Sequence, residues 1–125
     1  MTMRTPFRQV SGLGAAKSGT GHFWHQRLTG LLMLPLVVLC IALILSLLGK
    51  TYVETLDALA RPIIAIPVFV FIAAGVYHMQ IGMQVIIEDY VHGGAKVVCV
   101  VLNNVFALLV GFALLFAVLK ISFGM

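Results

Sequence analysis

Three stretches of this chain, residues 28–49, 62–87 and 97–119, run their whole length without an acidic, lysine or arginine side chain. Each is long enough to cross a hydrocarbon core about 30 Å thick, which takes about 20 residues of helix. Inside lipid a backbone must satisfy its own hydrogen bonds, and uniform runs lacking the alternation of a barrel strand do so as helices. The remainder of the chain leaves no other solvent open: 62% of its 125 residues are hydrophobic and 10% charged, with a mean hydropathy of +1.12. A soluble domain this short exposes too much of its surface to hide that much apolar side chain. The fold class is therefore all-α integral membrane. Three transmembrane helices at about 28–49, 62–88 and 97–120 form one domain (28–122), after a basic N-terminal tail (1–27).

Short connections make the helices antiparallel neighbours in an up-down-up bundle. The first run follows a long polar segment and lacks a small-residue cleavage site, so it reads as a retained span and not a removable leader. Arg4, Arg8, Lys17 and Arg27 precede helix 1 and Lys96 lies in the second loop. Lys50, Arg61 and Lys120 on the other side share it with Glu54 and Asp57. The excess of basic residues predicts a cytoplasmic N-terminus, and it accounts for the net charge of +4 without nucleic acid. The first loop, Lys50–Arg61, is polar enough to be exposed. Pro62 opens helix 2, Pro35 and Pro67 fall inside helices, and Gly93-Gly94 turns the chain into helix 3. Asn103 and Asn104 read as interhelical hydrogen-bond partners. Cys40 and Cys99 lie at different depths, so they are packing residues and not a disulfide. Helices apolar on all sides leave faces for a partner membrane chain.

His78 is the one histidine well inside a span, and an ionisable group at that depth is costly enough to be functional by default. It lies about ten residues before the cytoplasmic end of helix 2, hence about 15 Å deep. Gly75 and Gly82 share its face and leave room for a large flat group, such as a haem, whose usual axial ligand is a neutral imidazole nitrogen. Ligand, interhelical hydrogen-bond residue and proton relay all remain open on these residues alone. No second histidine lies within the membrane, because His22, His25 and His92 are all at the interface. Bis-histidine ligation would thus require a histidine from another subunit.

At the cytoplasmic end, Asp89 lies eleven residues after His78 and returns to nearly the same face, with Tyr90 beside it. Arg27 and Trp24, at the inner end of helix 1, are expected at the same level. A phenol that donates to a carbonyl, an Arg–Asp pair and access to water are the parts needed to bind a quinone. They are also ordinary interface anchors, and spacing alone does not separate the two readings.

Two segments, His78 through Val91 with its H-x-x-x-G-M-x-x-x-x-x-D-Y-V pattern and Ser18 through Gly30 at the start of helix 1, resemble the membrane anchor subunits of succinate dehydrogenase (respiratory complex II), cytochrome b type. With the three-helix layout the resemblance covers nearly the whole chain. It implies that His78 is one axial ligand of the haem b iron, the other coming from the partner cytochrome b subunit. It implies that Tyr90 hydrogen-bonds ubiquinone with support from Asp89, and that Arg27 lies near the quinone site and the haem propionates. It also implies iron–sulfur and flavoprotein partners and a bacterial inner-membrane location. His25-Gln26-Arg27-Leu28-Thr29-Gly30 partly echoes the partner cytochrome subunit as well, but the D-Y-V ending of helix 2 favours the anchor subunit. His22 and His25 take no role from the resemblance. Two rivals remain: a cofactor-free structural subunit, and a small transporter, which would be expected to carry an acidic residue within a span.

Overall fold

A computed structural model of the chain describes residues 20–124, so the basic residues Arg4, Arg8 and Lys17 and most of the tail lie outside the described residues. Helix α1 spans Gly21–Leu47, α2 Tyr52–Ala60, α3 Pro62–Tyr90 and α4 Gly94–Phe123. Three of them, α1, α3 and α4, are long and apolar enough to cross a membrane.

Two elements differ from the sequence reading. α1 begins at Gly21, seven residues before the apolar run, so His22–Arg27 form its first two turns and not a tail. Nothing between Gly21 and Pro35 breaks a helix, and polarity alone had set the expected start. The loop after α1 contains α2, whose start is a capping box. The Thr51 hydroxyl accepts from the Glu54 N–H, and the Glu54 carboxylate accepts from the Thr51 N–H at 2.8 Å. These bonds from the Thr51 backbone and hydroxyl, with Lys50 nearby, hold the Glu54 carboxyl below its ordinary range.

α3 is the middle of the layer. It packs against α1 on one side and α4 on the other, while α1 and α4 share no substantial contact. α2 lies against α3 and α4. Small residues set the spacing: Ala65 and Ala74 of α3 and Ala107 and Gly111 of α4 are buried, as expected where lipid gives helices no hydrophobic drive to associate. Ile81, at 3% exposure, is the best-covered apolar side chain of α3. Asn103 is buried and donates to the Gln80 carbonyl at 2.9 Å, and Asn104 accepts from the Gln80 amide at 2.7 Å. Both asparagines are thus the interhelical partners expected of them. The α3–α4 turn needs a residue with positive φ, which Gly93 supplies at 68°. Cys40 and Cys99 are free thiols.

A Cβ at Gly111 would stand 3.3 Å from Val76 Cγ1, a β-branched side chain with little freedom to turn. Gly111→Leu is therefore expected to pry α4 from α3 at a cost of about 1–3 kcal/mol. The check is a lowered thermal dissociation temperature of the detergent-solubilised protein, with Gly111→Ala falling between the two.

Candidate functional site

His78 lies in the α1–α3 seam, half-buried, against the first turns of α1. Its two ring nitrogens meet different partners. Nδ1 is 2.9 Å from the Thr29 hydroxyl, and Nε2 is 3.2 Å from the Gln26 side-chain nitrogen. Thr29 in turn donates to the His25 carbonyl at 2.7 Å, with the Gln26 carbonyl at 3.2 Å. The other end of the Gln26 amide, Oε1, is buried without a hydrogen-bond partner. Gly30 also faces the ring, its would-be Cβ 3.4 Å from His78 Cε1.

The room that Gly75 and Gly82 leave is not open. A Cβ on Gly75 would meet the Met33 methyl at 3.7 Å, and one on Gly82 would meet the Gln26 amide at 3.0 Å. Both occupants are the far ends of unbranched side chains from α1, which can swing aside without moving a helix. The stripe therefore faces α1, with Met33 and Gln26 in the space foreseen for a flat group.

Beside this seam runs a second polar cluster. The Tyr77 hydroxyl bonds His25 Nδ1 at 2.7 Å. Gln80 donates to Gln84 at 3.1 Å, and Gln84 to Glu88 at 2.8 Å, making a ladder along one face of α3. His22, His25, Tyr77, Gln80 and Gln84 surround a cavity of about 280 Å³. Gln26, Thr29, Tyr77 and Gln80 were all missed from sequence. The available signal was that His22, His25, Gln26 and Thr29 recur at helical spacing once α1 is extended back to Gly21.

The structure separates residues that the sequence reading had grouped. Asp89 and Tyr90 end α3, eleven residues and so about 16 Å beyond His78. Arg27, next to Gln26, lies near the level of His78 and not that of Tyr90. Its guanidinium stacks on Phe23, 4.5 Å from the ring centroid. The structure therefore sets Arg27 beside Phe23 near the level of His78, and not in the expected pair with Asp89. Trp24 is exposed at the start of α1, edge-on to Phe23. Tyr90 is 79% exposed, and Asp89 is exposed beside it.

A family model described as the succinate dehydrogenase/fumarate reductase transmembrane subunit matches residues 1–119. The succinate dehydrogenase hydrophobic membrane anchor subunit of Paracoccus denitrificans is 26% identical over 120 residues, covering 96% of this chain and 93% of that protein. The corresponding subunit of Rickettsia bellii is 31% identical over 88 residues, 70% of each chain. A succinate dehydrogenase membrane anchor subunit of Reclinomonas americana is 31% identical over 96 residues, 74% of this chain and 80% of that one. No solved structure matches the chain.

Proposed function

This chain belongs to the succinate dehydrogenase/fumarate reductase transmembrane-subunit family, and we propose that His78 is its ligand to a b-type haem while Asp89 and Tyr90 form its part of a ubiquinone-reduction site. It is a membrane anchor subunit of succinate dehydrogenase, a component of an oxidoreductase complex and a multi-pass protein of the inner membrane.

The observation that carries the haem reading is the pair of partners on the His78 ring. A hydroxyl at Nδ1 and a single side-chain amide at Nε2 leave one nitrogen able to ligate once that amide withdraws. The buried, unpartnered Gln26 Oε1 means that the amide is held in place at one end only. Met33 and Gln26 are the movable occupants beside Gly75 and Gly82. The residues present thus fit one half of a haem site, in which His78 would hold the iron together with a residue of a partner cytochrome b subunit. Bound there, the haem would supply one-electron storage. Among the described residues, Arg27, near the level of His78, is a cation suited to a propionate.

At the end of α3, the exposed Tyr90 hydroxyl donates to a quinone carbonyl, and the Asp89 carboxylate beside it exchanges protons with water at the interface. Electrons reach the quinone from a flavoprotein and an iron–sulfur subunit docked on that same, cytoplasmic side, where the positive-inside rule also puts the basic N-terminus. A cofactor-free packing role has two observations behind it, the contact of Gly75 and Gly82 with α1 and the hydrogen bonds of His78 to Thr29 and Gln26. It gives no reason for the buried Gln26 Oε1 to be left without a partner.

Purification of the complex in mild detergent and a reduced-minus-oxidised visible spectrum test the reading. A b-type haem signal accompanied by a second membrane subunit and the two soluble ones is the expected result. A flat spectrum from a complex with all its subunits would leave the anchor role and overturn the ligand role of His78.

A further inference from the structure

We infer that Thr29 is a positioning residue for the haem: its hydroxyl accepts the Nδ1–H of His78 and thereby reserves Nε2 for the iron. The inference rests on the haem reading and assigns a residue to it.

The direction of each hydrogen bond follows from counting hydrogens. The Thr29 hydroxyl has one, and two backbone carbonyls, His25 O at 2.7 Å and Gln26 O at 3.2 Å, compete for it. Carbonyls only accept, so the hydroxyl hydrogen is committed to them, and its lone pairs are what face His78 Nδ1 at 2.9 Å. A contact between Nδ1 and a lone pair is a hydrogen bond only if Nδ1 carries the proton. The neutral imidazole then has its free lone pair on Nε2, to which the Gln26 amide donates at 3.2 Å.

Two features make Thr29 fit for this. Bonding back to the carbonyl four residues earlier pins the hydroxyl in one orientation, and β-branching restricts the side chain to few rotamers. Gly30, the next residue, lets α1 come close enough for the contact, as its Cβ position lies 3.4 Å from the ring. An acceptor at Nδ1–H makes the imidazole a stronger electron donor, the effect seen when outer partners tune a metal-bound histidine. A stronger donor favours the oxidised iron and lowers the haem potential.

The test uses the whole detergent-purified complex carrying Thr29→Val or Thr29→Ser. Potentiometric titration of the haem and its low-temperature electron paramagnetic resonance spectrum are the readouts, with no reliance on turnover. Thr29→Val keeps the branched shape and removes the hydroxyl. It is expected to raise the haem midpoint potential and shift the ferric g values, whereas Thr29→Ser restores both to wild type. An unchanged potential and spectrum in Thr29→Val would overturn the inference. If Thr29→Val loses the haem, Thr29→Ser decides: haem with wild-type properties supports the hydroxyl's role, and loss of haem there too assigns Thr29 to packing. Absence of haem from the wild-type complex would instead defeat the haem reading itself, an outcome distinct from all of these.

Discussion

Replacing His78 by alanine is expected to abolish the b-type haem spectrum of the purified complex while the subunits remain associated. The substitution removes the His78 imidazole from the α1–α3 seam and with it the hydrogen bonds to Thr29 and Gln26. Thr29 keeps its bond to the His25 carbonyl, but Gln26, whose Oε1 is already buried and unpaired, loses its amide's partner as well. A buried polar group left unsatisfied costs about 1–3 kcal/mol, so a modest loss of thermal stability should accompany the loss of colour. Haem per flavin, measured on complexes with a full set of subunits, separates the two effects. Wild-type haem content in His78→Ala would show that the ligand lies elsewhere.

Tyr90→Phe should give the second large effect, this time on activity alone. The side chain is 79% exposed at the end of α3, so removing its hydroxyl should alter stability by no more than about 0.5 kcal/mol. If that hydroxyl donates to a quinone carbonyl as negative charge develops on it, its loss is worth about 1.5–3 kcal/mol, or roughly 10–100-fold in rate. Succinate-dependent ubiquinone reduction should therefore fall by that factor. Electron transfer from succinate to a soluble artificial acceptor, which bypasses the membrane site, should not change. Equal loss of both activities would point to a damaged complex, and unchanged quinone reduction would remove Tyr90 from the site.

The three spans were legible because lipid imposes a simple rule on length and charge, and α3 and α4 lie within three residues of where that rule puts them. The start of α1 was not, because His22–Arg27 are polar and the rule treats polarity as an ending. A helix does not end for want of apolar residues when its polar ones find partners, and His25, Gln26 and Thr29 find theirs on α3. That one misplacement also put Arg27 level with Asp89, an error of depth that no single-helix periodicity could reveal. α2 was overlooked even though Thr51 and Glu54 carry the spacing of a capping box. His78 itself was conspicuous from sequence, whereas its partners were not, since they lie 49 and 52 residues away and only the packing of α1 on α3 brings them near.

The central position of α3 fixes its rotation. Val76, Tyr77 and His78 are consecutive, and they answer to three different residues: Gly111 on α4, His25 on α1 and Thr29 on α1. Each step along a helix turns the side chain by about 100°. A slip of one residue would therefore misdirect all three at once, and with neighbours on opposite sides neither can follow the slip without the other losing its fit. α3 behaves as a keyed shaft between two bearings. The direction in which His78 presents its ring is set as firmly by α4, which makes no hydrogen bond to it, as by the helix that does.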